Sequence, residues 1–376
     1  MKIAYLSTFY PYRGGIAQFN ASLFNAFNNV FKNDFEIKAY TFTRQYPDFL
    51  FPGKTQFVTE EDVAIKIDAE RVLDTINPFS YIKTINSIKI FEPDILIMKY
   101  WLSYLAPSLG YVAGHFKKKN TKVITIIDNV IPHETNFFDK LLTKYFFNRN
   151  SGFMLMSEKA KHDLLKFKPD AKYLYSPHPL YNHFGDSIPK SQAKTKLGLD
   201  LNKKTLLFFG LIRDYKGLDL LIDAFGKLSS EYQLVIAGEP YGSFDKYSEQ
   251  INKLPNKQDV YAFARYINDT EVPIFFSAAD VCILPYRSAT QSGIALISYH
   301  FDLPMIATSV GGLQEVIRDK ESGIIVAPNS NDIEAGIKFF FENDNIQTFK
   351  ANIAKIKEEL SWEKFGENIV NFSKTL

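Results

Sequence analysis

Residues 205–225 read TLLFFGLIRDYKGLDLLIDAF. Thr205–Phe209 is apolar or β-branched at consecutive positions, the pattern of a strand covered on both faces of a parallel sheet. Gly210 ends the run. Arg213 and Lys216 follow on a loop, then Gly217, and the apolar periodicity over Lys216–Leu228 predicts an amphipathic helix. Two cations three residues apart at the carboxyl end of a strand suit the two phosphates of a diphosphate. Arg can grip one bidentately and Lys supplies a point charge. A helix entry with solvated charges is the plainer alternative.

The same strand-then-helix grammar runs outward in both directions. Strands are predicted at Lys2–Ser7, Ile37–Thr41, Ile95–Lys99, Val123–Ile127 and Gly152–Met156. A second series follows Thr205–Phe209 at Gln233–Ala237, Val281–Leu284, Met305–Ala307 and Gly323–Val326. Ala17–Phe27, Pro78–Ile90 and Asp332–Glu342 read as helices between them. Alternation of this kind predicts an α/β fold of two Rossmann-like, doubly wound domains facing a central cleft. The aperiodic stretch SPHPLYNHFGDSIPK, residues 176–190, reads as the linker. The expected domains are residues 1–185 and 186–359, with 360–376 packing back on the first.

Composition narrows the function classes. The chain has 376 residues, 44 Lys plus Arg against 42 Asp plus Glu, and one cysteine, Cys282. That balance excludes binding of nucleic acid by bulk positive charge, and the lone cysteine excludes an intramolecular disulfide framework. Cys282 lies in a strand pattern and reads as core. His115, His162, His178, His183 and His300 show no metal-ligand spacing, so no metal site is expected. No stretch of residues reads as a signal peptide or a membrane span, which implies a cytoplasmic protein, at most peripheral on the inner face of the cell membrane. The charge is uneven, however. Residues 1–185 carry 23 basic and 17 acidic side chains, the remainder 21 and 25. The first-half excess lies in residues 115–185.

Aromatic residues reach 15% of the chain. Some lie in FFDKLLTKYFFNRNSGF, residues 137–153, where Phe137, Phe138, Tyr145, Phe146 and Phe147 interleave with Lys140, Lys144 and Arg149. A core-facing helix is the commoner meaning of such a pattern. The other is a helix lying on an anionic membrane through residues 115–153.

Three further segments carry candidate chemistry. FYPYRGGIAQ follows the first strand and places Gly14 and Gly15 at a strand-to-helix turn, beside Tyr12 and Arg13. Ser288–Gly293, SATQSG, leads into a helix and offers hydroxyls and unpaired amides to an anion. Gly311-Gly312 follows the Met305–Ala307 strand, with Glu315 opening the next helix.

Together PYRGGIAQ, FGLIRDYKGLDLLIDAF, ADVCILPYRSATQSG, LPMIATSVGGLQEVI and SWEKF resemble the retaining family 4 glycosyltransferases, which have the GT-B fold. The resemblance covers nearly the whole second domain and points in the first. It implies an enzyme that moves a sugar from a UDP- or GDP-sugar to a glycan or lipid-linked acceptor, in surface polysaccharide or lipopolysaccharide assembly. It implies no cofactor, the leaving diphosphate being neutralised by Arg213 and Lys216. The donor would also meet Gly14, Gly15, Gly210, Gly238, Thr290, Gln291, Ser292, Gly293 and Glu315. Its base would lie on the 261–269 loop with Arg265, Tyr266 and Ile267. In the first domain, DNVIPHE resembles the loop that sends a histidine toward the sugar, implying catalytic roles for Asp128 and His133. Tyr12, Arg13, His133 and Glu134 would meet the acceptor.

The chain departs from the family at one point. Alignment on Pro304 puts Ala289 and Ile297 where two glutamates usually stand, with seven residues between them. That departure keeps open a non-catalytic nucleotide-sugar binder. An epimerase of the same fold is the other alternative, although it needs a pair of cleft carboxylates and the sequence shows no strong pair. A dinucleotide oxidoreductase is disfavoured, since no G-x-G-x-x-G follows a strand.

Overall fold

The computed structural model describes residues 1–30, 34–47, 55–58, 64–130, 137–180, 184–289, 292–342 and 345–376. The chain divides into two compact units, Met1–His178 with Ser361–Leu376, and Pro179–Leu360.

The first unit is built on a seven-stranded parallel sheet: β1 (Lys2–Leu6), β2 (Glu36–Arg44), β3 (Ala69–Asp74), β4 (Ile95–Tyr100), β5 (Lys122–Ile127), β6 (Gly152–Leu155) and β7 (Tyr173–Tyr175). Their spatial order is β3-β2-β1-β4-β5-β6-β7, so the winding reverses between β1 and β4. Helices α1 (Gly15–Val30), α2 (Pro78–Phe91), α3 (Ala106–Lys117), α4 (Phe137–Phe147) and α5 (Glu158–Phe167) connect them. β4, ILIMKY, is buried at every position, as a central strand covered on both faces requires.

The second unit repeats the plan with β8 (Lys204–Phe209), β9 (Tyr232–Ala237), β10 (Val260–Phe263), β11 (Val281–Leu284), β12 (Met305–Thr308) and β13 (Gly323–Val326), in the order β10-β9-β8-β11-β12-β13. Its helices are α6 (Lys190–Lys196), α7 (Leu218–Phe225), α8 (Asp245–Asn252), α9 (Val272–Ala278), α10 (Gly293–His300), α11 (Leu313–Val316), α12 (Ser330–Glu342) and α13 (Asn345–Glu359). One polar side chain in its sheet, Gln233, is fully buried and satisfied: its amide donates to Asp200 O (2.8 Å) and Thr205 Oγ1 (2.9 Å).

The last helix, α14 (Trp362–Ser373), belongs to the first unit. Ser361 caps it by accepting from the Lys364 amide (3.1 Å). Trp362 meets Phe19 edge-on at 4.9 Å between ring centroids, and Phe372 covers Gly152 so closely that a Cβ there would stand 2.6 Å from its ring.

The structure adjusts several expectations. Pro179, Leu180, Phe184 and Gly185 group with the second unit, where Leu180 packs in the core. The helix expected from Lys216 starts at Leu218, since Gly217 sits at φ 64° and breaks the turn before it. Within the expected 261–269 loop, Tyr261–Phe263 is edge strand β10. Strands β3 and β7 were not anticipated. Helix α4 is amphipathic: Phe146 and Phe147 are fully buried, while Phe138 and Leu141 are 73% and 51% exposed beside exposed Lys140 and Lys144. Among the described residues, no helix is long and apolar enough to cross a membrane.

Candidate functional site

In the second unit the winding reverses between β8 and β11, and open α/β sheets bind ligands at the carboxyl ends of strands beside such a reversal. The loops that leave β8, β9, β11 and β12 converge there. Gly210 ends β8 at φ 100° and Gly238 ends β9 at φ 150°. A Cβ on Gly238 would lie 2.0 Å from Gly210 O, so only glycine lets the two loops touch. The loop after β11 reaches the loop after β12 in the same way: a Cβ on Gly311 would lie 1.7 Å from Ala289 O.

Lys216 lies in a single 3-10 turn, Asp214–Lys216, and is buried. Its ammonium would stand 3.2 Å from a Cβ on Gly210 and lies 5.4 Å from the centroid of the Tyr286 ring. Burial pulls its pKa down to about 8, with the nearby Arg213 charge pushing the same way and the Cys282 thiol opposing. Arg213 is exposed, with its guanidinium 4.5 Å over the Tyr241 ring. Among the described residues, neither cation is paired with a carboxylate. Three cations nearby in the unit are already spoken for: Lys246 pairs with Asp214, Arg287 with Asp219 and Arg265 with Glu271. Two cations without a counter-charge, one of them desolvated, make a site that gains free energy when an anion arrives.

Ser292 occupies the N-cap position of α10, is buried, and lies 3.4 Å from the Tyr286 hydroxyl. Gly293 opens the helix and is exposed. Ile294 bridges the two halves of the site, because its Cδ1 would stand 3.0 Å from a Cβ on Gly210. Thus Gly210, Arg213, Lys216, Gly238, Ser292 and Gly293 assemble around one end of the sheet. Glu315 is exposed on α11, next to the Gly311–Gly312 turn. Thr290 and Gln291 lie outside the described residues. Ala289 is in the convergent loops, whereas Ile297 is buried in the core.

The segment after β10 is arranged differently from its expectation. Arg265 forms a bidentate pair with Glu271 (2.9 and 2.6 Å), which holds the Glu271 carboxyl down at about 2. The Ile267 side chain is core, so it can face a ligand only through its backbone. Tyr266 is 63% exposed.

The first-unit candidates lie at the carboxyl ends of the other sheet. Tyr12 is buried, Arg13 is exposed, and Gly14 (φ 102°) and Gly15 are exposed at the start of α1 with open space above them. Asp128, just past β5, pairs with Lys99 of β4 at 2.8 Å. Lys99, Tyr286 and Tyr241 were not singled out from sequence. Lys99 is a lone cation in an apolar strand, and that contrast was the signal available for it. His133 and Glu134 lie outside the described residues. Cys282 is fully buried, and burial raises its thiol to about 12.

Residues 189–358 match the profile of the family described as glycosyl transferases group 1. That stretch, in the second unit, is similar to the group 1 glycosyltransferases. Its Acidothermus cellulolyticus relative, a D-inositol 3-phosphate glycosyltransferase, is 32% identical over 38% of this chain and 33% of its own length. The lipopolysaccharide core biosynthesis mannosyltransferase LpsB of Rhizobium meliloti is 25% identical over 48% of this chain and 56% of its own. The chain thus spans 33% of the length of one of these relatives and 56% of the other. Among solved structures, HepE of Anabaena in complex with UDP superposes with a TM-score of 0.69 over 100% of both chains at 14% identity. That likeness shows the GT-B fold.

Proposed function

We propose that the protein transfers a sugar from a nucleotide-diphosphate donor, a UDP- or GDP-sugar, to a glycan or lipid-linked acceptor. The observation that carries this reading is the pair Arg213 and Lys216, uncompensated among the described residues at the carboxyl end of β8, while Lys246, Arg287 and Arg265 are paired. As the glycosidic bond to the diphosphate breaks, negative charge grows on the departing oxygen, and fixed cations in a dry site stabilise it. Lys216 contributes most because it is desolvated. The amides at the start of α10 and the Ser292 hydroxyl complete the cradle. Retention of anomeric configuration, reaction without a metal cofactor, and a place in polysaccharide or lipopolysaccharide assembly accompany this reading. They are supported by the resemblance of the motifs and by what LpsB is named for. HepE's complex with UDP supports a nucleoside diphosphate as the ligand class. A lipid-linked acceptor fits a cytoplasmic enzyme that rests on the membrane through the face of α4 where Phe138, Lys140, Leu141 and Lys144 are exposed.

The test is nucleoside diphosphate release from UDP-glucose, UDP-galactose, UDP-N-acetylglucosamine and GDP-mannose, with glycan and lipid-linked acceptors. Transfer that disappears in Arg213→Ala and Lys216→Ala supports the reading. Binding without turnover of any donor would leave a nucleotide-sugar binder instead, the reading favoured by the apolar Ile297 where the family carries a carboxylate.

A further inference from the structure

Lys216 sits in an arrangement that its own chemistry opposes. It is buried, and the groups that act on its charge are Arg213 on its own loop and Cys282 on β11, with the Tyr286 ring beside it just beyond β11. None of these is an anion at neutral pH, because burial raises the Cys282 thiol to about 12 and lifts the Tyr286 hydroxyl as well. A desolvated ammonium in such surroundings gains free energy by swinging out into water. The 3-10 turn that carries it closes on itself through Lys216 N to Arg213 O (2.9 Å) and Gly217 N to Asp214 O (3.1 Å), a geometry poorly suited to resist that pull. Something outside the turn must hold it.

Arg287, on the segment that leaves β11, is built to do so. Its backbone N–H donates to Tyr215 O at 2.7 Å. Its Nη1 donates to Asp214 O (3.0 Å) and to Asp219 Oδ1 (2.7 Å), and its Nη2 to Asp219 Oδ2 (2.6 Å). Asp219 lies in the first turn of α7, so one guanidinium ties the residue two before Lys216 to the residue three after it. The guanidinium in turn holds the Asp219 carboxyl below the usual carboxylate range. The same segment closes on the turn at its exit, since a Cβ on Gly217 would lie 2.0 Å from Pro285 O. Backbone bonds from Ile212 N to Glu239 O (2.8 Å) and from Tyr241 N to Ile212 O (3.0 Å) fix the Arg213 end of the loop to the segment after β9, which leaves the Lys216 end to Arg287. A planar fork bonds a carboxylate and a carbonyl at once, as a lysine's point charge does not. The Arg287 and Asp219 side chains are 43% and 38% exposed, and ion pairs this wet add little to global stability. Their effect is therefore local.

We propose that Arg287, acting with Asp219, is a positioning residue that keeps the Lys216 ammonium buried at the carboxyl end of β8, where an anionic ligand would meet it. That the ligand is a nucleoside diphosphate rests on the transferase reading, so the hold is tested both without and with nucleotide. Without it, an NMR titration of the full chain, isotope-labelled at lysine Cε, follows Lys216, whose signal is the one missing from Lys216→Met. In Arg287→Gln and Asp219→Asn the ammonium should reach water, and its midpoint should move from about 8 toward the ordinary lysine value of 10.5. With nucleotide, calorimetry measures UDP affinity at pH 7. A turn that holds Lys216 in place only about a tenth of the time binds about tenfold more weakly. Asp219→Asn gives the deciding sign: loss of a nearby negative charge by itself strengthens binding of an anion, whereas loss of the hold weakens it. Arg287→Lys, which keeps the charge but not the fork, should resemble Arg287→Gln. Both Gln and Asn variants should melt close to the parent. An unchanged Lys216 titration in both, tighter UDP binding by Asp219→Asn, or melting lowered in step with the titration shift, which would mark the pair as a general prop, overturns the proposal. A shifted titration in a chain that binds neither UDP nor GDP would support the hold and overturn the transferase reading instead.

Discussion

The Lys99 ammonium lies 2.8 Å from Asp128 Oδ1, and the centroid of the Phe19 ring is 3.3 Å from the same nitrogen. Lys99 is 1% exposed and Asp128 22%. Burial pulls the lysine's pKa down and the carboxylate opposes it, so the pair exists only as a pair. Asp128→Asn strands a buried charge and is expected to cost about 3 kcal/mol. Lys99→Met/Asp128→Asn together should recover most of that loss. Urea unfolding at pH 7 gives both values. An Asp128→Asn variant as stable as the parent would show that Lys99 is neutral without its partner.

Lys216 gives a prediction in which stability and affinity move in opposite directions. Its pKa falls from 10.5 to about 8 on folding, so the unfolded chain binds more protons between those two pH values. Stability therefore rises with pH through that window, and the full penalty, of order 3 kcal/mol at most, is present below pH 8. Lys216→Met should melt higher at pH 7 and lose this pH dependence. It should also bind UDP-glucose roughly ten- to a hundredfold more weakly. In the parent, affinity for UDP-glucose should fall as pH rises past about 8, where the ammonium of the unliganded protein loses its proton. Calorimetric titrations across pH 6.5–9.5 check the sign.

Arg265 offers a control. Its guanidinium is spent on Glu271. Arg265→Ala is accordingly expected to change UDP affinity less than about threefold, the scale of a solvent-screened contact. A loss matching that of Lys216→Met would show that the pair opens to admit the ligand.

Two glycines separate backbone strain from crowding. Gly14 has φ 102° but nothing within 4 Å of where a Cβ would stand, whereas Gly238 has φ 150° and the Gly210 carbonyl 2.0 Å away. Gly14→Ala should cost about 1–2 kcal/mol from the backbone alone. Gly238→Ala should cost more, by about a further 1–3 kcal/mol, because the loops after β8 and β9 must part. It should weaken UDP binding as well. Thermal melts with and without UDP distinguish the two.

Helix α4 predicts membrane behaviour. Replacing Phe138 and Leu141 by Ser removes exposed apolar area without touching buried Phe146 and Phe147. Stability should stay within about 0.5 kcal/mol, and sedimentation with vesicles containing anionic lipid should drop. If the parent does not sediment with such vesicles, the exposed apolar residues serve another end.

The strands legible in the sequence were those with unbroken apolar runs, such as Leu206–Phe209 and Ile95–Met98, because burial on both faces leaves polar residues no place. β3 (AERVLD) and β10 (VYAF) are sheet edges, where half-exposed positions dilute that signal. β7 is three residues long, too short for any period. In the candidate site, Arg213, Lys216 and the glycines could be read because one strand-loop-helix segment carries them. A cavity in the first unit lined by Tyr12, Tyr46 and Phe57 could not be read, since only folding brings those residues together. That Lys216 has no carboxylate partner among the described residues was equally invisible, as it depends on which carboxylates other lysines and arginines have already taken.

Helix α14 follows the whole of the second unit, Pro179–Leu360, in the chain, yet its Trp362, Phe365 and Ile369 complete the hydrophobic interior of the first. On a ribosome, that first unit therefore emerges early and waits, with the Phe19 side of its sheet uncovered, until the second unit has been made. The part synthesised first is the part finished last. Interrupting translation after Leu360 would release a chain whose second unit can be native while its first is still sticky, a clear substrate for chaperones.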